Sequence, residues 1–224
     1  MTNSKFEIEK SLACKCNSKL KLLVNGLLLS KFNILKAIMK GMTVYMKKLL
    51  IVVDYQNDFV NGSLGFSDAE LLETPILNKI KAYEANDDHI IYTLDTHYDE
   101  YLETQEGRGL PIKHCIRETE GHALFGKIFD HYQQGNYEWN EVVFKDSFGS
   151  ADLMKMLTKR RQYDVIELVG LVSYICVLSN AVIAKTAQPE AQIVVDSSCT
   201  AGPDKKLHDS CLKLMSEALQ IKVT

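Results

Sequence analysis

From Lys48 onward the chain alternates short aliphatic and β-branched runs with stretches whose apolar positions recur every three or four residues. The short runs are apolar throughout, as strands buried on both faces should be, and the longer stretches read as amphipathic helices that cover them. The pattern predicts strands over 49–53, 89–94, 141–144, 165–169, 193–195 and 221–223. Between them it predicts helices over 71–85, where Leu72, Ile76, Leu77 and Ile80 share a face, around 122–131, and over 150–160, 176–187 and 204–219. Gly170, Gly202 and Pro203 fall at element ends, as breakers should. Strands alternating with helices in this order specify a three-layer α/β/α fold with a mostly parallel central sheet. Residues 96–118 form a connection too long to be a plain turn in a compact domain, and are expected to serve function.

Composition narrows the picture. The 224 residues, 46% hydrophobic and 25% charged, suit one ordinary catalytic domain. A net charge of −3 with no stripe of lysines excludes a phosphate-backbone partner, so no nucleic acid is expected. The charge is uneven: residues 1–45 hold eight lysines against Glu7 and Glu9, about +6, which leaves about −9 for the rest. That contrast separates a 1–45 N-terminal extension from a domain over 46–224, with Met46 read as the functional start. The apolar run Leu22–Leu29 is cut off by Lys31 and Lys36, far short of the roughly 20 residues a span needs, and it lacks the layout of a signal peptide. No membrane partner is expected. Six cysteines at irregular spacings form neither a disulfide framework nor a zinc ribbon, which fits a reducing cytoplasm.

Ligands of parallel sheets bind beyond the carboxyl ends of the strands, so polar residues that directly follow a strand are the ones to examine. Asp54, Asp95 and Lys145 end the first three predicted strands, and Cys176 opens the helix after the fourth. Any one of them alone reads as a turn residue or cap; their joint placement on one sheet edge carries the argument. A thiol at a helix start beside an ammonium is expected to have a lowered pKa and to be a nucleophile. Asp54 could take the thiol proton if desolvation raises its pKa, with Lys145 holding the pair electrostatically. Cys199 and Cys211 read as small buried hydrophobes, and Cys115 is ambiguous beside His114. Asp95 and His97, followed by Glu106 and His114, gather donors suited to a divalent metal ion, zinc first, with iron or manganese as alternatives. His89, His122, His131 and His208 occupy ordinary surface or helix positions and receive no function.

Three segments carry a resemblance. Val-Val-Asp-Tyr-Gln-Asn-Asp-Phe (52–59), Val-Phe-Lys-Asp-Ser-Phe (143–148) and Gly-Leu-Val-Ser-Tyr-Ile-Cys-Val (170–177), the last continued by Ser179-Asn180-Ala181, resemble the isochorismatase and nicotinamidase superfamily of cysteine hydrolases in order and spacing. The resemblance implies Asp54, Lys145 and Cys176 as catalytic residues and a cis peptide at Leu171–Val172. It also implies an oxyanion site made by the backbone amides of Val172 and Cys176. Pro111-Ile112-Lys113-His114-Cys115 is similar to the nicotinamidase segment that brings in a histidine ligand, which implies a metal held by Asp95, His97 and His114, with Glu106 direct or through water. Phe59 would wall the substrate ring, and Tyr98 is a candidate second contact. The implied activity is hydrolysis of the nicotinamide carboxamide to nicotinate and ammonia, a step of NAD salvage, by a homo-oligomer. The alternatives are another small amide, a carbamoyl compound or a vinyl ether, and last a non-catalytic scaffold. One departure stands out: Ser173-Tyr174 replaces the Thr-Asp that often precedes the nucleophile.

Overall fold

The computed structural model describes residues 46–135, 140–160 and 162–224; the extension over 1–45 lies outside the described residues. Six strands, β1 (Lys48–Val53), β2 (His89–Asp95), β3 (Asn140–Lys145), β4 (Val165–Leu171), β5 (Gln192–Ala201) and β6 (Lys222–Val223), pair in parallel in the order β3-β2-β1-β4-β5-β6. The chain builds outward from β1 to β3, then returns to the other side of β1 for β4. This reversal creates a crevice at the carboxyl ends of β1 and β4, where open α/β sheets bind ligands. Register completes the alignment, since Asp95 lies opposite Lys145 and Val53 opposite Gly170.

Five longer helices cover the sheet: α1 (Glu73–Glu84), α2 (Gly126–Gln134), α3 (Ala151–Lys159), α4 (Leu178–Ala187) and α5 (Lys205–Glu217). Alternation along β1 divides the core in two. Leu49, Ile51 and Val53 join Leu153 and Leu157 of α3, Ala181 and Ala184 of α4 and Met215 of α5, whereas Leu50 and Val52 join Ile76 and Ile80 of α1 and Ile128 of α2. Every one of these side chains is buried, and each fully buried Leu, Ile or Val contributes on the order of 1.5–3 kcal/mol. Side-chain caps start two of these five helices: Ser150 Oγ accepts the Leu153 amide at 3.0 Å, and Asp204 Oδ1 accepts that of Leu207 at 3.0 Å.

The architecture is the predicted one, with local differences that have physical causes. β5 runs to Ala201, well past the expected end at 195, where Asp196 and Ser198 break the apolar pattern that marks a strand in the sequence. Lys79 of α1 bridges Asp196 and Glu167, at 2.7 Å to Glu167, so the two carboxylates are tolerated on the sheet. The β4–β5 register shifts between Leu168 and Gly170. Gly170 sits at φ +110°, and a Cβ there would lie 2.0 Å from the Val53 carbonyl oxygen, so the switch point requires glycine. The long connection contains a 3₁₀ turn at Asp99–Glu103 and a short helix at Gln105–Gly109. Among the described residues, no helix is long and apolar enough to cross a membrane.

Candidate active site

Asp54 follows β1 directly in a left-handed conformation, φ +46°, which aspartate tolerates better than most residues. Its carboxylate is fully buried; Oδ1 accepts the Thr93 hydroxyl at 2.7 Å, and Oδ2 lies 2.7 Å from Lys145 Nζ. The same ammonium reaches Asp95 Oδ1 at 2.9 Å and Cys176 Sγ at 3.6 Å. The four residues that end neighbouring strands or follow them therefore meet around one cation. Burial alone would strip the Lys145 proton, but Asp54, Cys176 and Asp95 outweigh it and hold the pKa well above the usual lysine value. Burial pushes the Asp54 carboxyl up from 3.8 despite Lys145.

Cys176 differs from its sequence-based expectation in two respects. It lies inside a π-helical turn, Ser173–Val177, that precedes α4, so it is not the first residue of a helix. Burial, then the Asp54 carboxylate, pushes its thiol well above the ordinary value, and Lys145 does not reverse this. The resting site thus pairs a neutral thiol with a carboxylate of raised proton affinity. That pairing suits proton transfer from sulfur to oxygen.

The Leu171–Val172 peptide that leads into this turn is cis. Asn180 Nδ2 donates to the Cys176 carbonyl at 2.9 Å and to that of Phe148 at 3.1 Å, while its Oδ1 accepts the Ser150 amide at 3.0 Å, tying the turn to the start of α3. Ser173 and Tyr174 find their partners at the start of α5. Ser173 Oγ lies 2.9 Å from His208 Nδ1, and the Tyr174 hydroxyl accepts the Asp204 amide at 3.2 Å.

Asp95 turns its second oxygen, Oδ2, toward two imidazoles, at 3.0 Å from His97 Nε2 and 3.4 Å from His114 Nε2. All three residues are buried, with one donor atom from each within 4.8 Å of the others. Ligands at roughly 2.0–2.1 Å from a tetrahedral zinc ion stand about 3.4 Å apart, so these spacings fit a metal. His114 Nδ1 donates to the Ile112 carbonyl at 2.8 Å, which leaves the Nε2 lone pair aimed at Asp95. Facing lone pairs need a positive charge between them, a proton or a cation. The histidines and Lys145 overcome burial and hold Asp95 far below the usual carboxylate range. Glu106 Oε1 stands 3.9 Å from His97 Nε2, outside the three-donor group.

Several supporting residues carried no chemistry in the sequence reading. Gln56, fully buried, accepts the Asp95 amide at 2.8 Å and donates to the Asp95 and His122 carbonyls at 2.9 and 2.8 Å. Asp58 accepts the Cys115 amide at 2.7 Å and so holds the residue after His114. Tyr101 packs its ring against both histidines, centroids 4.5 and 4.9 Å away. Gln56 and Asp58 do lie inside the 52–59 segment, which was the one available signal. His122, given no function, bonds Thr96 Oγ1 at 2.8 Å behind the metal set.

A cavity of about 220 Å³ opens onto Cys176, Val172, Asp95 and His114, with Phe59, Phe148 and Ile175 among its walls. The Phe59 and His114 ring centroids lie 5.5 Å apart. No Lys or Arg lines this cavity among the described residues. Tyr98 is not part of it: the side chain is 49% exposed and lines a separate cavity, because the 3₁₀ turn that follows directs it to the surface.

The Isochorismatase domain family model matches residues 48–224. An uncharacterized isochorismatase family protein of Bacillus subtilis, PncA, is 31% identical over 185 residues, covering 80% of this chain and 99% of that protein. The nicotinamidase of Saccharomyces cerevisiae is 27% identical over 188 residues, covering 66% of this chain and 86% of that protein. Among solved structures, the nicotinamidase/pyrazinamidase PncA of Bacillus subtilis aligns with a TM-score of 0.73 at 30% identity, over 80% of this chain and 100% of that one. With the strand order, the strand-end residues and the match over 48–224 in agreement, the chain belongs to the isochorismatase family of hydrolases.

Proposed function

We propose that the protein hydrolyses the carboxamide of nicotinamide to nicotinate and ammonia through a thioester on Cys176, and so acts in NAD salvage in the cytoplasm. The observation that carries this reading is the small, largely apolar cavity joining Cys176 to the Asp95 and His114 end of the metal set. Its volume lies below the roughly 300–1,000 Å³ of drug-sized sites, so it suits a compact ring. An anionic carbamoyl compound or vinyl ether calls for a Lys or Arg facing its carboxylate, and none lines the cavity among the described residues. The names of the yeast and Bacillus relatives support the same substrate.

In this reading Asp54 takes the thiol proton as Cys176 sulfur attacks the carboxamide carbon, and the carbonyl electron pair moves onto oxygen. The backbone amides of Val172 and Cys176 receive that oxyanion. Collapse breaks the carbon–nitrogen bond, and Asp54 returns the proton to the leaving nitrogen, which departs as ammonia. Water then attacks the thioester, giving its proton to Asp54; the carbon–sulfur bond breaks and the thiol is reprotonated. Lys145 keeps Asp54 and Asp95 in place throughout. A divalent ion held by Asp95, His97 and His114, with Glu106 direct or through water, would supply a Lewis acid to receive a lone pair of the substrate ring. Phe59 forms the wall beside it.

The test follows turnover by the purified full chain of nicotinamide and a carbamoyl compound, read as ammonia release, and of a vinyl ether, read as release of its carbonyl product, each with and without a chelator. Nicotinamide should be preferred and its turnover should fall on chelation. Preference for either anionic rival would displace the reading.

A further inference from the structure

The metal donors do not all face the same space. Asp95 and His114 line the apolar cavity beside Cys176, whereas His97 lines a second cavity of about 430 Å³ together with Tyr98, Glu100 and Asp146. Glu106 lines both. The donor set therefore stands in the wall between two cavities, the second the more polar and the richer in carboxylates. The charged side chains of the second are Glu100, Glu106 and Asp146, with no Lys or Arg among its described lining. Arg117, which donates to the Tyr98 hydroxyl at 3.3 Å, places its guanidinium over the Phe144 ring, 5.6 Å from its centroid.

We propose that a divalent cation reaches and leaves Asp95, His97 and His114 through this second cavity, while the amide uses the apolar one. The inference rests on the metal reading above and adds the route. A hydrated cation that crosses an apolar cavity loses solvation without compensation, whereas a carboxylate-lined mouth concentrates cations and raises their association rate by about 10–10³-fold. Two mouths also let metal exchange proceed while the substrate cavity is filled. Tyr98 then belongs to the cation route and not to the substrate wall.

The experiment follows zinc uptake by the chelator-stripped full chain in stopped flow, with a zinc-sensitive dye as competitor. Glu100→Lys combined with Asp146→Lys should slow association about tenfold or more at low salt, with the difference shrinking at high salt, and should leave one zinc bound at equilibrium. Both side chains are exposed, so folding is unaffected. Ser147→Trp, which obstructs the same cavity without charge, should also slow uptake. Leu64→Trp, which narrows the apolar cavity, should lower amide turnover and leave uptake unchanged. Uptake unaffected by the double reversal, or slowed by Leu64→Trp, overturns the route. A wild-type chain that takes up no zinc, iron or manganese overturns the metal reading itself, a distinguishable result.

Discussion

One ammonium serves two carboxylates and a sulfur, so the protonation of Asp54 decides what Cys176 can do. Burial raises the Asp54 pKa above 3.8, and the carboxylate that must accept the thiol proton is lost as pH falls through that raised value. The acid limb of kcat/KM should therefore lie at higher pH than an ordinary aspartate would set. Asp54→Asn should lower turnover about 10²–10⁴-fold, leave the circular dichroism unchanged and abolish that limb. A variant that keeps the wild-type profile would assign the proton transfer elsewhere. Thiol reactivity follows a different rule from the one the sequence suggests. Burial pushes up the Cys115, Cys176, Cys199 and Cys211 thiols alike, so a lowered pKa marks none of the four and access to the substrate cavity is the property that sets one apart. Of these four only Cys176 lines the substrate cavity, and iodoacetamide should modify it first, slowly, with protection by nicotinamide. Faster labelling of Cys115 would contradict the placement. Asp54, Asp95, Lys145 and Cys176 were legible because each ends a strand or comes soon after one. The raised thiol pKa was not, since sequence shows the neighbouring lysine and aspartate but not the burial that, with Asp54, outweighs the lysine.

Between residues and fold, short segments hold the metal donors in register. Gln56 and Asp58 leave β1 together, and each fastens a different part of the set, Asp95 for one and the His114–Cys115 peptide for the other. Removal of such supporting hydrogen bonds costs about 10–100-fold in metal affinity. Asp58→Ala should weaken zinc binding by that factor in a chelator competition. Asp58→Asn, which keeps one acceptor oxygen, should recover part of the loss; equal affinity in all three proteins would remove Asp58 from the support of the metal donors. Gly170→Ala belongs to the same scale. It meets both a positive φ and the Val53 carbonyl, and should destabilise the fold by about 2 kcal/mol or more in denaturant titration. Strands and helices were legible from period and punctuation. β5 was truncated in that reading because Asp196 looks like a loop residue until Lys79, more than a hundred positions earlier, arrives beside it. Tyr98, a candidate substrate contact by motif adjacency, lines the cavity beside His97 and not the one beside Cys176, a distinction adjacency in sequence does not carry.

At the scale of the molecule, the reversal of strand order between β1 and β4 gathers residues 54, 95, 145 and 176 onto one edge. The order of strands and helices was readable; the neighbour relations were not, because they depend on which side of β1 the chain returns to. The family match begins at residue 48 and the first strand of the described residues at Lys48, so 46–224 is expected to be the functional domain and 1–45 dispensable. A chain starting at Met46 should be soluble and fully active; loss of either property would show that the extension contributes. The central claim is covalent amide hydrolysis at Cys176, and the most direct measurement is ammonia release from nicotinamide by wild type and by Cys176→Ala. The account predicts turnover in the wild type and a loss of several orders of magnitude, on the order of 10⁴-fold or more, in a variant that stays folded. A folded Cys176→Ala protein that releases ammonia at the wild-type rate would contradict it.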